Sequence, residues 1–243
     1  MPENDTIGIV VPMANEEPDF APFTGELKGA IDRLDSGRVY FIVDDVSTDR
    51  TLALCRELSG SDQRFVTVYA PENRSVVDAY LRGYREVFDN GHRIVIEMDA
   101  GMSHDPKAIP LFLKALDEGN ECAFGSRFIG GGSIRNASFK RYFLSRFGTL
   151  LANTLLGTTM RDMTSGFEGF RRHIVKELLD HRFRSRAHFF QTEVRYLLRG
   201  KRSVEIPIHY SFPSPRVSRG AVGNAIGVLL YYFFKRITFR SEP

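Results

Sequence analysis

The stretch from 39 to 45, VYFIVDD, places five apolar residues directly before two carboxylates, Asp44 and Asp45. Its unbroken apolar character predicts a strand buried on both faces, because a half-exposed strand alternates apolar and polar residues. Similar apolar runs occur at 7–12 (IGIVVP), 65–69 (FVTVY), 94–98 (IVIEM) and 121–124 (ECAF). The first half of the chain therefore carries five predicted strands.

Segments with helical periodicity separate these runs, at 25–34, 49–58, 76–88 and 106–116. Buried strands that alternate with helices predict an α/β fold with a mostly parallel sheet flanked by helices. The 243 residues, of which 42% are hydrophobic, suffice for one such domain with a packed core.

Charged side chains follow three of the predicted strands at their carboxyl ends. Asp44 and Asp45 follow the second strand, Asp99 the fourth and Arg127 the fifth. Ligands of parallel sheets bind outside the carboxyl ends of the strands. We therefore expect these side chains to meet at one edge of the sheet and to form the functional site.

The second half of the chain has a different pattern. Residues 139–156 are amphipathic at helical period, 162–167 (DMTSGF) form a polar loop, and 171–180 and 190–199 are predicted helices. Residues 203–210 contain a proline, which favours an edge strand. The run at 225–234 (AIGVLLYYFF) is shorter than the ~20 residues that span a bilayer, so it is either a core helix or an interfacial one.

Charge is distributed unevenly between the two halves. Residues 1–120 carry 12 Lys and Arg against 22 Asp and Glu, and residues 121–243 carry 21 against 8. The acidic half suits a metal or a neutral base, and the basic half suits phosphates or anionic lipid. The two cysteines, Cys55 and Cys122, lie far apart in apolar surroundings, and the acidic N-terminus lacks a secretory signal, which together favour a reducing, cytoplasmic location.

Five motifs occur in a fixed order along the chain. They are VPMANEEP at 11–18, VDDVSTDRT at 43–51, EMDAGMSHDP at 97–106, GSRFIGGGSI at 125–134 and DMTSGF at 162–167. This series resembles the family 2 glycosyltransferases, and more narrowly the dolichol-phosphate mannose synthase branch with its bacterial polyprenyl-phosphate relatives. The resemblance implies a single GT-A domain over 1–212, with a nucleotide-binding half at 1–126 and an acceptor-binding half at 127–212. A basic loop and an apolar helix, suited to a membrane interface, follow at 213–243.

The resemblance also implies which residues bind the donor nucleotide. These are Pro12, Ala14, Glu16, Asp44, Asp45 and Asp99, with either Arg216 or Arg219 reaching the diphosphate from a late loop. Glu16 and Asp44 would hold the base and the ribose, whose N–H and O–H groups carboxylates accept. Ala14 stands where the family has Tyr, so an aromatic contact with the base is missing.

The metal site departs from the family pattern Asp-Ala-Asp, because this chain has Asp99-Ala100-Gly101. The resemblance implies a magnesium or manganese ion at Asp99, with Ser103 nearby, since hard oxygen ligands suit these cations. Three interpretations stay open. Asp99 holds the ion with the diphosphate and water, Glu97 or Asp105 substitutes for the lost acid, or arginines replace the metal. His104 is expected to be a structural hydrogen-bonding residue rather than a ligand.

The acceptor residues implied by the resemblance are Arg127, Arg141 and Ser145, which would bind a phosphate. Arg141 and Ser145 lie four residues apart and share a helical face, and Arg forms bidentate hydrogen bonds with phosphate. Asp162 occupies a position near the acceptor, where it acts either as a general base or as a group that orients arginines. Asp99, Arg127 and Asp162 are the expected catalytic residues.

The expected function is inverting transfer of a sugar from a GDP- or UDP-sugar to a polyprenyl phosphate, at the cytoplasmic face of a membrane. A separate membrane subunit or a homo-oligomer is compatible with it. Two alternatives are a GT-A enzyme with a saccharide or other hydroxyl acceptor, and a degenerate homologue that binds nucleotide-sugar or lipid without catalysis. Nucleic-acid binding is not expected, because the chain contains no recognition motif for it.

Overall fold

The protein is built around a mostly parallel sheet of seven strands. The computed structural model describes residues 6–34, 36–135, 139–211 and 219–238, without the side chains of 139–141 and 219. The strands are β1 (Ile7–Met13), β2 (Gly37–Val43), β3 (Phe65–Tyr69), β4 (Ile94–Glu97), β5 (Cys122–Ser126), β6 (Ser133–Ile134), β7 (Glu168–Arg171), β8 (Ser203–Pro207) and β9 (His209–Tyr210). The α-helices are α1 (Phe20–Ile31), α2 (Thr51–Ser61), α3 (Val76–Asp89), α4 (Ile109–Asp117), α5 (Phe139–Leu156), α6 (Arg172–Asp180), α7 (Phe190–Leu197) and α8 (Arg219–Thr238).

The strand order in the large sheet is β3-β2-β1-β4-β7-β5-β8. All neighbours pair in parallel except β7, which runs antiparallel to both β4 and β5. The carboxyl ends of β1, β2, β4 and β5 therefore lie at one edge, as predicted. A separate parallel pair of two-residue strands, β6 and β9, stands beside it.

The observed elements differ from the predicted ones in three respects. Helix α1 begins at Phe20 rather than at residue 25, since Pro22 lies in the first turn, where a helix needs no N–H donor. The strands β6 and β7 were not predicted. The expected strand 203–210 is two strands in different sheets, and β8 is an edge strand as predicted.

Both faces of the sheet are covered by helices, and two glycines allow one of them to approach closely. Helix α3 crosses β1 where Gly83 faces Val10 and Gly8 faces Val87. A Cβ atom on Gly83 would lie 2.2 Å from Val10 Cγ1, and one on Gly8 would lie 2.4 Å from Val87 Cγ1. Neither contact tolerates a side chain, so these glycines set the distance between helix and sheet.

Helices α5 and α8 pack on each other through a cluster of buried apolar side chains, which includes Ala152, Leu156, Val228 and Leu229. Other apolar side chains of the same helices are exposed: Tyr142, Phe143, Leu144, Phe147, Leu150 and Leu151 on α5, and Val222, Ile226, Leu230, Tyr231, Phe234 and Ile237 on α8. We call these side chains the exposed apolar face. Among the described helices, none is sufficiently long and apolar to cross a membrane.

Candidate active site

The loop after β1 is fastened to the loop after β2 by the side chain of Asn15. Asn15 has a positive φ of 57°, and its Nδ2 donates to the carbonyl of Val46 at 3.0 Å. The backbone N–H of Thr48 donates to Asn15 Oδ1 at 2.9 Å. Asn tolerates the left-handed backbone better than most residues, which explains its presence at this turn.

A second set of contacts fixes the following residues of the same loop. Thr51 Oγ1 accepts a hydrogen bond from the N–H of Glu16 at 2.8 Å, and Asp49 Oδ2 accepts one from the N–H of Glu17 at 3.0 Å. Asp49 Oδ1 also accepts from the N–H of Thr51 at 2.9 Å. Sequence reasoning missed Asn15, Asp49 and Thr51, although all three lie inside the quoted motifs.

The predicted donor residues line this loop and the end of β2. Asp44 is buried, Pro12 and Glu16 are half-buried, and Ala14 and Asp45 are exposed. The Asp44 carboxylate accepts from the N–H of Val46 at 3.1 Å, and Asp45 accepts a hydrogen bond from the Tyr69 hydroxyl. Burial raises the pKa of Asp44.

Glu16 lies in a strongly acidic environment. Its pKa is raised to about 7, first by burial and then by the negative charges of Asp19, Asp99 and Asp49. A carboxylate in this position is destabilised unless a cation or a donor group neutralises it.

Asp99 follows β4 and is held from two sides. Its Oδ1 accepts a hydrogen bond from the Tyr80 hydroxyl at 2.5 Å, and its backbone N–H donates to His104 Nδ1 at 3.1 Å. The Tyr80 ring is itself stacked on Phe190, with centroids 5.7 Å apart. The Asp99 side chain is 41% exposed. One oxygen is thus oriented by Tyr80, while the carboxylate stays open to a ligand, and His104 has the structural role that was expected.

The residues around Asp99 decide which of them are available to a metal ion. Ser103 is half-buried, and Asp105 Oδ1 is bonded to the N–H of Lys107 at 2.9 Å at the start of a 3-10 turn. Gly101 has a positive φ of 71°. Among the described residues, no three His, Cys, Asp or Glu side chains converge in a group able to hold a metal ion by themselves.

Glu97 is buried away from the site and engaged elsewhere, which leaves Asp105 as the remaining candidate in the second open interpretation. Its carboxylate is fully buried and accepts hydrogen bonds from the Tyr84 hydroxyl and from Gln191 Nε2. Glu97 also pairs in register with Glu168 of β7, whose carboxylate accepts from Arg195. Burial and the neighbouring Glu168 raise the pKa of Glu97 well above its usual value.

Arg127 and Asp162 form a buried ion pair. Arg127 Nε donates to Asp162 Oδ2 at 2.7 Å and Nη2 donates to Oδ1 at 2.8 Å, while the Arg127 N–H adds a third bond to Oδ2 at 3.1 Å. Arg127 Nη2 also donates to Thr164 Oγ1 at 2.5 Å. Both side chains are buried.

This pairing bears on the general-base interpretation of Asp162. Burial alone would raise the pKa of Asp162, but the guanidinium of Arg127 outweighs it and holds the pKa below its usual value. Both carboxylate oxygens are occupied, and the side chain is inaccessible to solvent. Asp162 therefore holds the guanidinium of Arg127 in place, a contact that favours the second of the two roles predicted for it.

Helix α5 meets the end of β5 through Phe128. The Tyr142 ring makes an edge contact with the Phe128 ring at 5.7 Å, and the Arg146 guanidinium lies 4.9 Å from the centroid of Phe128. Ser145, between these two residues, is half-buried. The exposed apolar face of α5 is thus attached directly to the segment that carries Arg127.

Three predicted residues lie partly or wholly outside what the structure describes. Arg216 falls in the range 212–218, and for Arg141 and Arg219 the helical backbone is described but the side chain is not. Their roles stay predictions.

Comparison with known proteins extends over most of the chain. The family model for glycosyl transferase family 2 matches residues 8–179. A polyprenol monophosphomannose synthase of Mycolicibacterium smegmatis is 29% identical over 89% of this chain and 81% of that protein. An undecaprenyl-phosphate mannosyltransferase of Micrococcus luteus is 27% identical over 89% of each chain. A dolichol-phosphate mannosyltransferase of Pyrococcus furiosus is 26% identical over 97% of this chain and 65% of its own length.

Solved structures give the same fold at lower identity. Glucosyl-3-phosphoglycerate synthase of Mycobacterium tuberculosis, in complex with Mn²⁺, UDP and phosphoglyceric acid, has a TM-score of 0.68 at 17% identity, over 95% of this chain and 79% of that one. The same enzyme with Mg²⁺ and UDP has a TM-score of 0.65 at 18% identity, over 94% of this chain and 79% of that one. The predicted GT-A fold is confirmed.

Proposed function

Because the chain belongs to glycosyl transferase family 2, we propose that it transfers a sugar from a nucleoside-diphosphate sugar to a polyprenyl phosphate. Three relatives that cover most of the chain support this acceptor, since each is named for a polyprenol or its phosphate. The nucleotide would lie along the loops after β1 and β2, and the acceptor phosphate near Arg127.

The structural observation that carries the acceptor proposal is the contact between Tyr142 and Phe128. It joins an exposed apolar helix to the strand end that carries Arg127. A polyprenyl phosphate needs both features in one place, since its head is an anion and its tail is a hydrocarbon. The exposed apolar face of α5 and α8 would rest in the interfacial region of a membrane, where such lipids reside. The orientation expected is the cytoplasmic face, where nucleotide-sugars are made.

The chemistry proposed is an in-line displacement at the anomeric carbon. A phosphate oxygen of the acceptor forms the new bond to that carbon, while the bond from the carbon to the nucleoside diphosphate breaks. The configuration at the anomeric carbon is thereby inverted. A phosphate is already an anion near neutral pH, so the step needs no general base. The engagement of both Asp162 oxygens with Arg127 fits this expectation.

Arg127 would act by binding and orienting the acceptor phosphate. Its Nε and Nη2 are occupied, but no described residue accepts a hydrogen bond from its Nη1. The Asp162 pair fixes the plane of the guanidinium, which reduces the conformational freedom lost on binding. Ser145 and Arg141 of α5 are proposed to complete the phosphate site.

A divalent cation, magnesium or manganese, is proposed at Asp99, with Ser103 as a further candidate ligand. The open carboxylate of Asp99 fits such an ion, since hard oxygen ligands suit both metals. When bound, the ion would offset the charge of the departing diphosphate.

A donor screen tests the proposal. The protein is incubated with detergent-solubilised polyprenyl phosphate and labelled GDP- or UDP-sugars, with Mg²⁺, Mn²⁺ or EDTA. Transfer of label to a product that extracts into chloroform is expected, and the same assay with Arg127→Lys should retain donor binding while losing transfer. Labelled free sugar without labelled lipid would favour the saccharide-acceptor alternative. Donor binding without any turnover would favour the non-catalytic alternative.

A further inference from the structure

We propose that Glu16 supplies the second carboxylate of the divalent-cation site, in place of the acid that is missing at position 101. A Cβ atom on Gly101 would lie 3.0 Å from Glu16 Oε2. The carboxylate of Glu16 thus occupies the space that a side chain at position 101 would enter. The inference rests on the proposed nucleotide-sugar donor, and it assigns Glu16 to the metal rather than to the base of the nucleotide.

Hydrogen bonds to the backbone of Glu16 and to the neighbouring Asn15 fix the position of Glu16. Thr51 Oγ1 holds the Glu16 N–H at 2.8 Å, and the neighbouring Asn15 is fastened to the β2 loop through Val46 and Thr48. These contacts fasten the loop after β1 to the loop after β2, and the 3.0 Å approach of Glu16 Oε2 to a Cβ position on Gly101 places it beside the turn that follows β4. The sequence separation between Glu16 and Asp99 is large, but the sheet places β1 and β4 side by side.

In the part of the chain that the structure describes, the surroundings of Glu16 lack the hydrogen-bond donor that a half-buried carboxylate normally has. No described residue donates a hydrogen bond to its carboxylate, and the charged neighbours that act on it are Asp19, Asp99 and Asp49, all of them acids. A divalent cation between Glu16 and Asp99 would remove this repulsion and supply the missing partner. Two carboxylates from different loops, completed by diphosphate oxygens and water, are a suitable oxygen set for Mg²⁺ or Mn²⁺.

Gly101 contributes by having no side chain. Its φ of 71° lies in the left-handed region, which favours glycine, and any Cβ there would press against Glu16. A side chain at 101 would therefore require the Glu16 carboxylate to shift, so glycine at 101 leaves Glu16 in the place where an acid at 101 would otherwise approach.

The test measures Mn²⁺ binding, without lipid, by electron paramagnetic resonance of free Mn²⁺ in the presence of GDP or UDP. Glu16→Gln should weaken Mn²⁺ binding by tenfold or more. The control Asp19→Asn removes an equal charge from the same surroundings and should change it by less than threefold. Glu16→Ala should lose the same affinity, and Glu16→Ala with Gly101→Asp should regain part of it. Circular dichroism melting confirms that each variant is folded.

Three outcomes would overturn the inference: unchanged Mn²⁺ binding in Glu16→Gln, equal losses in Glu16→Gln and Asp19→Asn, or a Glu16→Gln defect that appears as weaker nucleotide binding in EDTA with Mn²⁺ binding intact. The last outcome would indicate that Glu16 binds the nucleotide base rather than the metal ion. Because lipid is absent, the result is separate from the acceptor proposal. If Mn²⁺ binding depends on Glu16 but the donor screen labels no lipid, the proposed function is contradicted and this inference is not.

Discussion

The carboxylate of Asp162 and the guanidinium of Arg127 face each other in a two-bond pair, at 2.7 and 2.8 Å, with both side chains buried. The pair connects the end of β5 to the loop 162–167 that leads into β7. Removing either charge leaves the other buried and uncompensated, which is costly in a protein interior.

Asp162→Asn should lower the free energy of unfolding by about 3–5 kcal/mol, because the Arg127 charge would stay buried without its partner. Urea unfolding followed by circular dichroism measures this. The control is Asp180→Asn, which breaks an exposed pair with Lys176 at 2.8 Å and should leave stability unchanged. Equal effects of the two substitutions would show that the buried pair has no special role in stability.

Tyr80→Phe should weaken Mn²⁺ binding in the presence of nucleotide by about 10- to 100-fold, the usual cost of losing a hydrogen bond that orients a metal-binding carboxylate. The change removes the hydroxyl that orients Asp99 Oδ1 and keeps the ring stacked on Phe190. The matched control is Tyr84→Phe, one turn later in α3, whose hydroxyl bonds to Glu97 instead. A comparable loss of Mn²⁺ affinity in both variants would argue against a positioning role for Tyr80.

Replacing Phe143 and Phe147 with Ser should reduce binding to anionic lipid vesicles at least tenfold. These side chains are 60% and 50% exposed, so their loss should alter lipid contact more than folding. Co-sedimentation with phosphatidylglycerol vesicles is the measurement. A double control, Val46→Ser with Leu111→Ser, removes exposed apolar side chains elsewhere and should bind as the parent does. Similar losses in both doubles would rule out a specific role for α5.

Gly83→Ala should destabilise the protein by about 1–3 kcal/mol, because the new methyl group would overlap Val10. Adding Val10→Ala should offset part of this loss, so the two effects should not add in urea unfolding. Gly29→Ala serves as the control, since Gly29 is a helical glycine with open space around it, and it should stabilise rather than destabilise. Additive losses for Gly83 and Val10 would contradict the proposed contact.

His92 should make the protein sensitive to mild acid. It is buried, its Nε2 lies 2.7 Å from the Tyr40 hydroxyl, and burial with the nearby Arg38 charge lowers its pKa to about 4. The unfolded chain binds a proton near pH 6.5 and the folded one does not, so stability should fall as the pH drops from about 6.5 towards 4. Urea midpoints at pH 7 and pH 5 should differ less in His92→Gln than in the parent protein. An unchanged difference would assign the acid sensitivity to other groups.

Much of the fold could be predicted from the apolar runs. The strand at 65–69 and the helix at 139–156 have the predicted bounds, because continuous apolar residues and a clear helical period leave few alternatives. Strand β7 could not be predicted, since its four residues, EGFR, contain a glycine and two charges that suggest a loop. Its glutamate is buried because Arg195 of a distant helix reaches it, and no local pattern records such a contact.

The candidate site was predictable in its position but only partly in its roles. Strand ends identified Asp44, Asp99 and Arg127, because the chain direction alone brings them to one edge. The roles depend on partners that are distant in sequence. Asp162 was expected to be either a general base or a group that orients arginines, and only its contact with Arg127 favours one of these roles. The approach of Glu16 to Gly101 depends on how one loop folds over another.

The position of β7 between β4 and β5 fixes the distance between the two ends of the site. In the described part of the chain, β3, β2, β1 and β4 form one set of neighbours, β5 and β8 form another, and β7 is the strand that joins them. The strand before Asp99 and the strand before Arg127 share no hydrogen bonds with each other, because each is bonded to residues 168–171 instead. The donor and acceptor ends of the site are thus held two strand spacings apart, roughly 10 Å, by the strand that lies between them. A chain in which β7 is not paired would contain the residues around Asp99 and those around Arg127 without a fixed distance between them.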